Sequence, residues 1–194
     1  MHAPAAADVP VAAPGAFQRA NFAVATAAAE ALLGELDPGA LRAAGARVRI
    51  PGRCEVIDRD PLTIVDGAHN PAGARALAAA LPEVAGERRR TVGVVSVLED
   101  KDAAGILREL MPSCQSLVLT HNANPRALPP ATLQSLAGQL GADPVALELE
   151  PEPRRALARA RELAGPDGAV VATGSIYLVA DLVRPPGARR ASML

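Results

Sequence analysis

Short apolar runs at 55–57, 63–65, 91–97, 117–120, 145–149 and 169–173 alternate with stretches of helical periodicity, and no other feature of the chain restricts its fold as much. Runs this short suit strands. The helical stretches at 71–81, 103–111, 131–140 and 152–164, and one beginning after Ser175, are long enough to cross back over a sheet. Strand, helix and strand in succession make a parallel pair, because a parallel connection has to return the chain to its starting edge. The runs at 55–57 and 63–65 lie too close for such a return and predict an antiparallel pair. The expectation is an α/β fold: a mostly parallel six-stranded sheet with flanking helices.

Composition suits two-sided burial of that sheet. Hydrophobic residues make up 49% of the 194, but aromatic residues only 2%, with no Trp, so the core has to be built from Ala, Val, Leu and Ile. Residues 1–14, rich in Ala and Pro, read as a flexible lead-in, and 185–194 as a disordered tail. Between them, a helix over 16–36 carries Phe17, Ala20, Val24, Ala28, Ala31 and Leu32 at helical spacing and stops at Asp37-Pro38. A second helix covers 38–44, and 45–53 runs extended into the Pro51-Gly52 turn, the candidate boundary between a helical segment, 15–50, and the α/β domain, 51–184.

A formal net charge of −1, from 20 basic and 21 acidic residues, excludes a bulk electrostatic pull towards nucleic acid or an anionic membrane; a small polar ligand is expected. Cys54 and Cys114 have neither CxxC nor zinc-ligand spacing. With no leader-like opening and no apolar run of membrane-spanning length, they point to a reducing, cytoplasmic setting.

Ligands of open α/β sheets bind where strands end and helices begin. After the run 63–65 comes Asp66-Gly67-Ala68-His69-Asn70-Pro71, with Pro71 placed to open a helix. Asp66 can accept from ribose hydroxyls, His69 can donate to a phosphate or carboxylate, and Asn70 can cap the helix or hold the loop. Each is equally at home as an ordinary turn, loop or cap residue. Lys101 is the only lysine in the chain, so any step needing a lysine has one candidate. It can fix a substrate carboxylate or pair with its flanking Asp100 and Asp102.

PGRCEVI at 51–57 and VDGAHNP at 65–71 resemble adjacent signatures of the folylpolyglutamate synthases and dihydrofolate synthases, members of the Mur ligase superfamily. VVSVLEDKD at 94–102, NPRALPP at 124–130 and TGSIYLVADL at 173–182 continue the resemblance in order, and FQRAN at 17–21 is similar to the segment leading out of the family's central domain. The resemblance spans roughly 15–183. It implies a Rossmann-like Mur ligase carboxyl-terminal domain preceded by the helical end of a central ATPase domain. It further implies that Asn21 lies near the base of ATP, Arg53 at its phosphates and Asp66 on its ribose side. His69 falls near the reacting phosphate and incoming glutamate, and Ser175, Lys101 and Arg126 fall on the glutamate side, although Ser175 can equally be a helix cap and Arg126 a helix lead-in.

The implied partners are ATP, L-glutamate and dihydropteroate or a reduced folate, with Mg²⁺ as the metal. No metal ligand is implied within this chain. There is no GxxxxGK[ST], and no lysine precedes residue 51 to match the carbamylated lysine of the family's central domain. The chain is therefore expected to be the end of a longer enzyme, inactive without its P-loop domain, and its 15–36 helix is expected to seek another surface, for instance a second copy. Two rivals share the α/β pattern: another Mur-type amino-acid ligase, which more often has an aromatic residue where this chain has Gly67, and a non-catalytic module that kept the fold. A Rossmann dehydrogenase predicts a GxGxxG that is absent.

Overall fold

The computed structural model describes residues 9–86, 90–143 and 146–185. The chain divides at Pro51/Gly52 into two compact units.

The first unit contains α1 (Ala16–Leu33) and α2 (Pro38–Arg47). α1 ends at Gly34, whose φ of 81° breaks the helix, and α2 begins on Asp37, whose Oδ1 accepts from the Ala40 N–H at 2.7 Å with Pro38 in the first turn. Two expectations are corrected here. α2 runs on to Arg47 instead of giving way to extended chain at Gly45, and residues from Val9 onward are laid against it instead of forming a loose lead-in. Gly45 permits both: a Cβ there would sit 2.6 Å from Pro10 O and 2.8 Å from Val9 Cγ1, while Gly45 O accepts from the Ala12 N–H at 2.9 Å. Residues 1–8 of the lead-in, and the tail beyond Pro185, lie outside the described residues.

α1 buries two polar residues and leaves several apolar ones bare. Of the apolar set at helical spacing only Phe17 is half-buried; Val24 and Leu32 are 70% and 83% exposed, and the buried positions are Gln18 and Thr26. Thr26 is satisfied by donating to Phe22 O at 2.9 Å.

The second unit is the α/β sheet: β1 (Glu55–Arg59), β2 (Leu62–Val65), β3 (Thr91–Val95), β4 (Ser116–Leu119), β5 (Leu147–Leu149) and β6 (Ala169–Thr173), with α3 (Pro71–Ala85), α4 (Ala103–Leu110), α5 (Pro130–Gln139), α6 (Pro153–Ala164) and α7 (Ile176–Val183). The strand order is β1-β2-β6-β3-β4-β5; β1 is antiparallel to β2 and every other pairing is parallel. The chain steps from β2 through β3 and β4 to β5 in one direction, then returns through α6 to insert β6 between β2 and β3. Right-handed crossovers in opposite directions put their helices on opposite faces. Accordingly α3 packs on α4 and α4 on α5, whereas α6 packs on α7. The strands covered on both sides, β2, β4 and β6, are buried at every position, while the edge strand β1 leaves Asp58 and Arg59 exposed. Among the described residues no helix is long and apolar enough to cross a membrane.

Candidate functional site

Val65 pairs with Ala172, and Val95 with both Thr173 and Leu119, so the chain leaves β2, β6, β3 and β4 at one common edge. The insertion of β6 makes this the point where connections diverge, and Asp66, Gly174, Ser96 and Thr120 all lie on it.

Asp66 is 3% exposed and fully engaged by backbone: Oδ2 accepts from the Cys54 N–H and Oδ1 from the Ala68 N–H, both at 2.7 Å. Burial pushes its carboxyl above the ordinary aspartate value, while those two donors and the nearby Arg53 and His69 pull it back down. Asp66 thus ties the Gly52–Cys54 turn to the loop after β2, assisted by the Gly67 N–H donating to Gly52 O at 2.8 Å. Each carboxylate oxygen retains a second lone pair, so a ribose hydroxyl remains compatible with this engagement.

The same tie brings Arg53 across the loop. A Cβ at Gly67 would collide with Arg53 Nη1 and lie 2.8 Å from Ile176 Cγ2, so a larger residue there has to displace the end of the Arg53 side chain and Ile176. Cys54, next in the turn, has φ 47°, a left-handed conformation that few non-glycine residues adopt. Its side chain is buried, and burial, with smaller contributions from Asp66 and Glu83, pushes its thiol up to about 12; burial alone raises Cys114 to about 12. Neither thiolate is populated near pH 8, so both cysteines are expected to resist a disulfide reagent in the folded protein and to react together in denaturant. Rapid labelling of Cys54 under native conditions would show that the turn opens.

His69 is half-buried, with Nδ1 2.9 Å from Gly67 O. A carbonyl can only accept, so Nδ1 carries the proton of the neutral ring and Nε2 is left as the acceptor. Asn70 is the cap: its Oδ1 accepts from the Gly73 N–H at 2.8 Å, with Pro71 in the first turn of α3.

Lys101 and Arg126, eligible from sequence only as separate loop residues, share Asp100: Lys101 Nζ is 2.9 Å from its Oδ2 and Arg126 Nη1 3.6 Å from its Oδ1. The loops carrying them are joined by a bridge between Leu98 and Ala127 and by the Glu99 N–H donating to Arg126 O at 2.8 Å. Asp102 does not join this pair; it caps α4. Ser175 is 2% exposed and caps α7 by accepting from the Tyr177 N–H at 3.1 Å.

Asn122, for which the sequence suggested no role, organises the edge. Its backbone N–H and Nδ2 both donate to Ser96 Oγ, at 3.1 and 2.9 Å, its Oδ1 accepts from the Asn124 N–H at 2.9 Å, and Asn124 Oδ1 accepts from the Arg126 N–H at 2.9 Å. Asp181 on α7 accepts from the Ala123 N–H at 2.8 Å. The signal available in sequence was Asn-Ala-Asn-Pro after a strand, a pattern of side chains that bond their own backbone two residues on. Thr173 Oγ1, at the end of β6, is buried without a hydrogen-bond partner.

Asn21 belongs to the first unit. It is exposed and lines an open cleft of about 570 Å³ within that unit, together with Gln18, Phe22, Ala44, Val48 and Ile50. Among the described residues no group of three or more His, Cys, Asp or Glu could hold a metal ion.

A strand edge at which the connections diverge is where open α/β sheets hold their ligands. The family model described as Mur ligase, glutamate ligase domain, matches residues 52–176, and the chain belongs to that family. A dihydrofolate synthase/folylpolyglutamate synthase of Mycobacterium tuberculosis is 45% identical over 130 residues, covering 64% of this chain and 26% of that protein. A UDP-N-acetylmuramoyl-L-alanyl-D-glutamate--2,6-diaminopimelate ligase of Corynebacterium efficiens is 35% identical over 191 residues, covering 91% of this chain and 35% of that protein. Among solved structures, Mycobacterium tuberculosis folylpolyglutamate synthase complexed with ADP matches with a TM-score of 0.80 at 39% identity, covering 89% of this chain and 40% of that one. The chain therefore spans well under half the length of these relatives.

Proposed function

We propose that the chain is the glutamate-receiving portion of an ATP-dependent ligase that adds L-glutamate to dihydropteroate or to a reduced folylpolyglutamate. The observation that carries this reading is the crossing of Arg53 over Gly67 in a loop that also holds Asp66 and His69, within the segment matched by the glutamate ligase family model. In the reaction, a carboxylate oxygen of the pterin substrate bonds to the γ-phosphorus of ATP as the bond to ADP breaks. The amine of glutamate then bonds to the acyl carbon, inorganic phosphate leaves, and the amine gives up a proton. Arg53 offers a planar fork of donors to phosphate oxygens, Asp66 faces the ribose side and Asn21 the base. His69 Nε2 is the acceptor for the amine proton. Lys101, Arg126 and Ser175 serve the glutamate carboxylates.

The phosphate cradle and Mg²⁺ ligands of this reading belong to a P-loop domain outside the chain. Among the described residues no group of three or more His, Cys, Asp or Glu is placed to hold the metal. The test is glutamate-dependent ADP release with dihydropteroate or a reduced folate, comparing this chain with a protein extended upstream by a P-loop domain. Activity confined to the extended protein supports the reading; an extended protein inert with every pterin removes the folate assignment. The similarity to a diaminopimelate ligase favours a second reading, a peptidoglycan amino-acid ligase, which predicts ADP release with a UDP-muramoyl peptide and diaminopimelate instead.

Self-association through residues 15–36 is part of the proposal, motivated by the bare Val24, Leu32 and Leu33 of α1. Size-exclusion chromatography is expected to show a concentration-dependent shift to a larger species, and a constant monomer removes this element.

A further inference from the structure

Gln18 is buried to 2% exposure, yet its Nε2 has no hydrogen-bond partner. An unpaired buried amide costs about 1–3 kcal/mol, and a leucine of similar size would fill the same space without that cost. Gln18 lines the cleft of the first unit beside Asn21, and its Oε1 accepts from Asn21 Nδ2 at 3.2 Å. The remaining lining is apolar, Phe22, Ala25, Ala44, Val48 and Ile50, apart from Arg47 and Arg49. Such walls suit a flat heteroaromatic ring, leaving the exposed Asn21 amide to read its edge.

We infer that Gln18 is a positioning residue that sets base specificity through Asn21, an inference that rests on the reading of Asn21 as the adenine contact. A primary amide has one donor proton on the same side as its oxygen and one on the far side. An Asn amide recognises adenine with the first pair: Oδ1 accepts from the 6-amino group and the near Nδ2 proton donates to N7. In this inference Gln18 Oε1 takes the far-side proton of Asn21 Nδ2 across the 3.2 Å contact and so fixes which way the amide faces, leaving Oδ1 and the near-side proton for the base. Rotating the Gln18 amide would set Nε2 against Asn21, where it could engage only Oδ1, the atom needed to accept from the 6-amino group. A 6-oxo purine offers an acceptor to the Asn21 acceptor and is rejected.

The test is titration of the full chain with ATP and with ITP, whose base differs at position 6, followed by ligand-observed NMR for weak binding. The parent is expected to prefer ATP by about tenfold, the lower part of the range for a bidentate amide contact. Gln18→Leu is expected to reduce the preference below about twofold, and Gln18→Glu, which keeps the acceptor facing Asn21, to retain it. Circular dichroism establishes that each variant is folded, and a merely structural role would lower both affinities without changing their ratio. Asn21→Ala separates the two levels. If it loses the preference while folded Gln18→Leu keeps it, the inference about Gln18 falls and the adenine reading stands. If Asn21→Ala keeps the parent ratio, or the parent binds no ATP at about millimolar concentration, the adenine reading falls and takes this inference with it.

Discussion

Asp66→Ala is expected to destabilise the α/β unit by about 3 kcal/mol, because it strands the buried N–H groups of Cys54 and Ala68, each worth roughly 1–3 kcal/mol when left unpaired. Urea unfolding followed by circular dichroism measures this directly. Asp66→Asn should cost about half as much: its carbonyl oxygen replaces one acceptor, while its NH₂ opposes the other N–H. The two proteins should also differ in pH dependence. The folded-state carboxyl titrates above the unfolded one, so between the two values the folded state holds a proton that the unfolded state has lost. Native stability attributable to Asp66 therefore falls as pH rises through that window, and this slope is absent from Asp66→Asn. A midpoint unchanged in Asp66→Ala would mean that the turn and loop are held together by something else.

His69→Ala, made in the protein extended by a P-loop domain, is expected to lower glutamate-dependent ADP release by about 10² to 10⁴-fold, the usual range for a general base, and Arg53→Ala by about 10² to 10³-fold, the range for losing one charge-stabilising donor, both with little change in stability. Arg53→Lys should not restore the activity, since a single ammonium cannot reproduce a planar fork laid over Gly67. Gly67→Ala should lower activity in the same direction as Arg53→Ala without touching the arginine, because its methyl group pushes the guanidinium out of place. Activity of His69→Ala within about threefold of the parent would remove the proton-acceptor role. Equal activity in Gly67→Ala would show that Arg53 does not work from the position seen here.

The alternation of periods made the second unit legible. Strands β2 and β6 are apolar at nearly every position because helices cover both their faces, and Asn70-Pro71 marked the start of α3 through cap chemistry that needs only neighbouring residues. The first unit was harder to read: α1 has a clear helical period, but the period does not say which face is covered, and the structure buries Gln18 and Thr26 while exposing Val24 and Leu32. Gly45 looked like a helix end, where glycine is common, yet it serves inside α2 to admit Val9 and Pro10.

The sequence alone determined the alternation of strands and helices in the second unit, the start of α3 at Asn70-Pro71, and the placing of Asp66, His69, Lys101, Arg126 and Ser175 in strand-end loops, since each depends on interactions within a few residues. Tertiary structure decided the rest. That β6 returns to the middle of the sheet, that Asp66 reaches Cys54, that Asn122 locks onto Ser96 and that Asp100 joins Lys101 to Arg126 are consequences of which strand ends meet at one edge. Burial and hydrogen bonding between distant segments depend on that packing, and local periodicity carries no record of it.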